Sequence, residues 1–187
     1  MDDPFEGYPV CTKALVQSIM SSERALVIFS FGVGINPGFE HDAWQFLREE
    51  GLESRRLKLY SFDPLIKPDA HNEGWGANYG APRPPHQRFH KVGLGIEDGK
   101  YLMNRPNSFH SDAATALTTL SQGLRDSYHM ETGTTLLLSL KTILCALDIS
   151  RVDVIKIDIE GLEYRWLEKV LLATLRTTQL VVTFHPQ

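Results

Sequence analysis

Two carboxylates, Asp158 and Glu160, close a run of alternating character: Val152-Asp153-Val154-Ile155-Lys156-Ile157-Asp158-Ile159-Glu160-Gly161. In an extended chain, positions i, i+2 and i+4 share one face. Lys156, Asp158 and Glu160 therefore fall together, with aliphatic residues on the other side. A carboxylate so placed can act as a general base, and a pair can hold a divalent cation. The run lies between two helical patterns. That context argues for a parallel strand covered on both faces, with its charges near the carboxyl end, where open α/β sheets bind their ligands. Asp158 and Glu160 are the catalytic candidates and Lys156 is their partner. A plain Lys156–Asp158 ion pair ranks above a metal, since these residues have no dedicated metal-ligand spacing; no metal is expected. His185, after the last apolar run, is a weaker candidate base.

A second group could hold a cofactor. Ala25-Leu26-Val27-Ile28-Phe29-Ser30-Phe31 is nearly all apolar and stops at Gly32, as a buried strand does. The loop Gly32-Val33-Gly34-Ile35-Asn36-Pro37-Gly38 follows. Gly32 and Gly34 permit close ligand approach, and a helix after Gly38 would aim free N–H groups at it. The spacing G-x-G-x-x-x-G is not the dinucleotide fingerprint, and a bare turn explains it equally well. Asp63 adds weight. It ends a second strand of Leu57, Leu59 and Tyr60-Ser61-Phe62, where a carboxylate can accept both hydroxyls of a ribose. Asp63-Pro64 as a simple turn starter is the alternative.

The elements that must position these residues alternate between strand and helix. Lys13 to Met20 has weak helical spacing. Phe39, Ala43, Phe46 and Leu47 form a helical stripe that Gly51 ends. Residues 65–87, rich in Pro, Gly, Asn and His, read as a long loop. Phe89 to Ile96 reads as a third strand, and Lys100 to Asn104 as a hairpin arm after the turn at Glu97-Asp98-Gly99. Residues 105–131 give no clear pattern. Leu136 to Leu140 is an extended piece entering a helix marked by Ile143, Leu144 and Leu147. Trp166, Leu167, Val170 and Leu171 mark a later helix, and Leu180-Val181-Val182-Thr183-Phe184 a last strand. Strands and helices joined this way imply a parallel sheet with right-handed crossovers.

The chain has 187 residues, 42% of them hydrophobic and 22% charged, with a formal charge of −4. These values suit one soluble domain and give no general pull toward nucleic acid. No run reaches the roughly 20 apolar residues of a membrane-spanning helix. Cys11 and Cys145 lack metal-ligand spacing and read as small hydrophobes. The acidic start, Met1-Asp2-Asp3-Pro4, is no signal peptide, so a cytoplasmic protein is expected unless an upstream segment is missing.

Four segments in order then resemble a known family: Phe29-Ser30-Phe31-Gly32-Val33-Gly34, Leu59-Tyr60-Ser61-Phe62-Asp63-Pro64, Phe89-His90-Lys91-Val92-Gly93-Leu94-Gly95, and Ile155-Lys156-Ile157-Asp158-Ile159-Glu160-Gly161-Leu162-Glu163. Together they resemble the FkbM-type methyltransferase domain, in particular its eukaryotic methyltransferase-like branch. The resemblance covers residues 25–187, after a lead-in over 1–24, and K-I-D-I-E-G-x-E is its most specific part. It implies a Rossmann-like class I fold, an α/β sheet in the order 3-2-1-4-5, with strand one at 26–31 and strand four at 152–159. It implies S-adenosylmethionine as cofactor and O-methylation of a hydroxyl-bearing acceptor, a small molecule or a glycan. Gly32, Gly34 and Asn36 would lie in the cofactor loop, with Gly32 and Gly34 beside the methionine moiety. Asp63 would hold the ribose, and Gly93, Leu94 and Gly95 would flank the adenine. Asp158 would face the cofactor's amino acid end or the acceptor. Ser30 stands where many class I enzymes have an acid. Two further strands usually follow the fifth, so the domain is expected to be C-terminally incomplete, with an edge at 180–184 for a missing segment or a partner. Two rival functions stay open: an inactive methyltransferase-fold interaction domain, and a nicotinamide-dependent oxidoreductase.

Overall fold

The computed structural model describes residues 8–21, 24–34, 38–52, 57–65, 84, 87–106, 130–159, 161–170 and 177–185. In chain order they form α1 (Thr12–Met20), β1 (Leu26–Phe31), α2 (Gly38–Glu49), β2 (Leu57–Phe62), β3 (Gln87–His90), β4 (Gly93–Gly95), β5 (Gly99–Pro106) and β6 (Met130–Ser139). Then come α3 (Leu140–Ala146), β7 (Val152–Ile157), α4 (Glu163–Val170) and β8 (Thr177–Val182).

Five strands make one sheet in the order β3-β2-β1-β7-β8. All four of its pairings are parallel. β1 lies between β2 and β7, with Phe29 opposite both Tyr60 and Ile155. This is a mainly parallel α/β sheet, as a Rossmann-like methyltransferase fold requires. The expected order 3-2-1-4-5 is not matched, because the observed order is 3-2-1-7-8. Three strands intervene and build a second sheet, β4-β6-β5. The expected single strand over 89–96 is broken at Lys91 and Val92: its first part is in the main sheet and Gly93–Gly95 pairs parallel with Leu137–Ser139. The arm after Gly99 runs antiparallel to β6 rather than back along the strand before it. Strand 26–31 stands as expected, while the charged strand stops at Ile157, short of Asp158.

Burial on both faces explains the long apolar runs. One face carries Leu26, Ile28, Leu57, Leu59, Val154 and Val181 against Leu15 and Ile19 of α1 and Phe39, Ala43 and Leu47 of α2. The other carries Phe29, Phe31, Tyr60, Phe62, Ile155 and Ile157 against Leu140, Ile143 and Trp166. Phe31 and Phe62 stack with centroids 4.6 Å apart across the β1–β2 pair. Each such buried ring contributes about 1.5–3 kcal/mol through apolar area alone. Cys11 and Cys145 are free and exposed, not part of this core. None of the described helices is long and apolar enough to cross a membrane.

Asp98 ties the second sheet to α3. Its carboxylate accepts the Ser139 N–H at 2.7 Å and the Thr142 hydroxyl at 2.6 Å. Those bonds hold its pKa below the ordinary carboxylate range. β8 ends the main sheet, with β7 as its one neighbour among the described residues.

Candidate functional site

The carboxyl ends of β1, β2 and β7 meet at Gly32. Its N–H donates to Phe62 O at 2.9 Å, and the Asp158 N–H donates to Phe31 O at 3.0 Å. A side chain at Gly32 would put its Cβ 1.6 Å from the Asp158 carbonyl oxygen, and the residue has a φ of +75°. The space left by the missing side chain is thus filled by Asp158 itself. The Gly32 carbonyl accepts from Lys156 Nζ at 2.7 Å. Both backbone groups of Gly32 are therefore engaged within the chain, and its task in this geometry is to let β7 close on β1.

Gly34 behaves differently. At a φ of +61°, it turns its N–H toward Asp63, whose Oδ2 accepts it at 3.0 Å. Asp63 Oδ1 accepts the Leu65 N–H at 2.9 Å, which is the turn-starting bond expected of Asp-Pro. The turn role and the loop role coexist in one carboxylate. The Asp63 N–H donates to His90 O at 3.2 Å, which brings the end of β3 to the same corner. His90 stacks on Phe62 with centroids 5.1 Å apart. Burial, and then Arg88, push its basicity below the ordinary histidine value.

Gly93 and Gly95 are packing positions. A Cβ on Gly93 would come 2.4 Å from Leu137 and 3.0 Å from Pro64; on Gly95 it would come 2.8 Å from the Glu97 carbonyl. Leu94 is buried in the core between them. The contact with Pro64 sets this segment beside Asp63. Asn36 and Glu160 lie outside the described residues.

Asp158 follows β7 on the site's side. Its Oδ2 accepts from the Tyr8 hydroxyl at 2.7 Å and lies 3.6 Å from Lys156 Nζ. Its Oδ1 lies 3.5 Å from His185 Nε2. The expected Lys156–Asp158 pair exists, yet it does not close Asp158 off, because a fifth (20%) of that side chain is exposed. Lys156 also lies over the Tyr8 ring, 5.2 Å from its centroid. Burial, and then the Asp158 carboxylate, raise the pKa of the Tyr8 phenol far above its usual value, so it stays a hydrogen-bond donor.

Glu163, in the first turn of α4, is fully buried. It accepts the N–H groups of Ile159 and Gly161, both at 2.8 Å, and its Oε1 lies 3.0 Å from His185 Nδ1. Asp158, Glu163 and His185 thus bring ligand-type atoms within 4.8 Å of one another. Hydrogen bonds and ion pairs within the chain account for this arrangement. Sequence reasoning quoted Glu163 only as the last letter of a motif, and passed over Tyr8 entirely. Glu163 had a signal: it follows the bend at Gly161, where a helix start attracts a carboxylate. Tyr8 had none, because its partner is 150 residues away.

The described site residues fit a nucleoside-bearing cofactor at Asp63 and Gly34. Ser30 Oγ, fully buried on β1, has no hydrogen-bond partner among the described residues. The family model of the methyltransferase FkbM domain matches residues 32–186. No curated protein and no solved structure matches the chain.

Proposed function

This chain belongs to the FkbM methyltransferase family, and from that premise we propose that it uses S-adenosylmethionine to methylate a hydroxyl of a small molecule or glycan. The supporting observation is convergence. The Gly34 N–H, the Asp63 carboxylate and the Asp158 carboxylate gather at the carboxyl ends of β1, β2 and β7, where open parallel sheets place their ligands. The cofactor brings a methyl group already activated on a sulfonium, so the chain's task is alignment and exclusion of water. In this reading Asp63 takes the ribose, and the Gly32–Asn36 loop with Gly34 borders the methionine end. Gly93, Leu94 and Gly95 flank the adenine side, with Gly93 next to Pro64. Asp158, with Glu160 after it, faces the reacting end.

The catalytic unit spans residues 25–187. A partner or a further segment would pair at the 180–184 edge, where Phe184 is half exposed and packs against Tyr164. The two free cysteines agree with a reducing, cytoplasmic setting. One observation favours a second reading, a methyltransferase fold used as a non-catalytic interaction domain: the Tyr8 hydroxyl already occupies Asp158. Calorimetric titration separates the readings. Saturable binding of S-adenosylhomocysteine, with none of NADH, is expected. A folded chain that binds neither would overturn the enzymatic proposal and leave the interaction domain.

A further inference from the structure

The lead-in before α1 is fastened at two points of unlike character. Its base is a backbone clamp: the Cys11 N–H donates to Gln179 Oε1 at 2.7 Å, and the Cys11 carbonyl accepts from Gln179 Nε2 at 3.0 Å. α1 follows directly and buries Leu15 and Ile19. Its tip is one side chain. The Tyr8 hydroxyl donates to Asp158 Oδ2 at 2.7 Å, and Thr183 hydrogen-bonds the same hydroxyl. The Tyr8 ring meets Phe39 edge-on with centroids 5.4 Å apart, and Lys156 Nζ lies 5.2 Å from its centroid. Only Pro9 and Val10 join tip to base, and Tyr8 and Val10 are partly buried against the core.

The groups around Tyr8 make a seat for a hydroxyl carried on an aromatic ring. A carboxylate accepts the O–H, a cation lies over the ring face, and a second ring packs at its side. Asp158 is also the residue that faces the reacting end in the reading above, and what it holds is a hydroxyl, the group that reading assigns to the acceptor. We propose that Tyr8 is the chain's own stopper for the acceptor subsite: its phenol occupies, on Asp158, the place of the acceptor's hydroxyl, and the subsite takes an aryl hydroxyl once the lead-in withdraws. This rests on the methyltransferase reading and names the acceptor class for it.

Withdrawal breaks the hydroxyl and ring contacts of Tyr8 and leaves the Cys11 clamp and α1 in place. On so short a tether the phenol meets its seat at an effective concentration of roughly millimolar or above. A free acceptor is therefore held off until the lead-in moves, and its apparent affinity falls by the fraction of chains that are open. The occupied Asp158 is then a reversible closed state.

The probe is 4-methylphenol, the tyrosine side chain as a free molecule, titrated into the full chain and followed by NMR. Tyr8→Ala vacates the seat and should bind the probe saturably, at least about tenfold more tightly than wild type does. Toluene, the same ring without the hydroxyl, should bind Tyr8→Ala about tenfold more weakly than 4-methylphenol, because the bond to a charged acceptor is lost. Gln179→Ala frees the base of the lead-in and leaves every group of the seat in place; it should tighten probe binding about threefold or more over wild type. Equal probe affinities in wild type, Tyr8→Ala and Gln179→Ala would overturn the proposal and leave Tyr8 a plain tether. Toluene binding as tightly as 4-methylphenol would overturn it too. A parallel titration of the wild type with S-adenosylhomocysteine separates the two claims. If that ligand binds while the probe affinities are equal, the stopper fails alone. If the wild type does not bind it, the methyltransferase reading falls, and the acceptor role of this seat with it.

Discussion

At the amino end of β7, Asp153 is fully buried and saturated. Arg24 donates to both of its oxygens at 2.7 and 2.6 Å, the Val27 N–H donates at 3.0 Å, and Arg151 lies 3.4 Å away. Burial works to raise its pKa, yet the Arg24 and Val27 bonds and the two guanidinium charges outweigh it and hold the carboxyl below the ordinary range. Five residues along, Asp158 has one phenol, a lysine shared with the Gly32 carbonyl, and a histidine, and it keeps a face to solvent. The same residue type thus does two jobs. A carboxylate closed by arginine and backbone donors locks a strand. One held among a phenol, a lysine and a histidine keeps part of its surface in water.

Gly32 marks the end where the strands must close tightly, and it should give the largest effect. Gly32→Ala forces a Cβ onto the Asp158 carbonyl at a positive φ, so a loss of about 4 kcal/mol or more is expected in urea unfolding. A loss below about 1 kcal/mol would mean that the two strands can part there at small cost.

Arg24→Ala probes the other end. It leaves a buried carboxylate with only Val27 and Arg151, and should cost about 2–3 kcal/mol, less than a wholly enclosed pair because Arg24 is 35% exposed. Asp153 also sets an acid limit. Its folded pKa is depressed, so its contribution is present above the unfolded value of about 3.9 and is lost as pH falls through the folded one. Below about pH 4, wild-type stability should therefore fall more steeply than that of Asp153→Asn; parallel curves would remove Asp153 from the account.

Tyr8→Phe should have the smallest effect, about 0.5–1.5 kcal/mol, since one hydrogen bond goes and Asp158 is reachable by water. A much larger loss would mean that the carboxyl end is as closed as the amino end, and the contrast would dissolve.

Much of this was readable in the sequence because it is local. The period-two pattern of 152–158 and the apolar run of 26–31 state their strands directly, and Asp63 stands where a strand followed by Asp-Pro puts it. What stayed hidden is what distance controls. The Gly93–Gly95 segment looks continuous with the strand before it, yet its partner is Leu137–Ser139, some forty residues later, and leucine side chains fill the space of its glycines. Asp153 looks like one more charge on an alternating strand. Only the fold brings Arg24 to it. The Asp158 surroundings were half legible: Lys156 lies two residues away, whereas Tyr8 and His185 arrive from opposite ends of the chain.

A single thermal-shift series tests the division of labour along β7 most directly, because the ligand-free midpoint reads folding and the shift with S-adenosylhomocysteine reads binding. Asp153→Asn should lower the ligand-free midpoint and keep the wild-type shift. Asp63→Ala should lose most of the shift, corresponding to about 1–3 kcal/mol of affinity as the ribose loses a charged acceptor. Equal shifts in wild type and Asp63→Ala, or loss of the shift in Asp153→Asn while the protein is folded, would contradict the assignment of the ligand to the carboxyl end of the sheet.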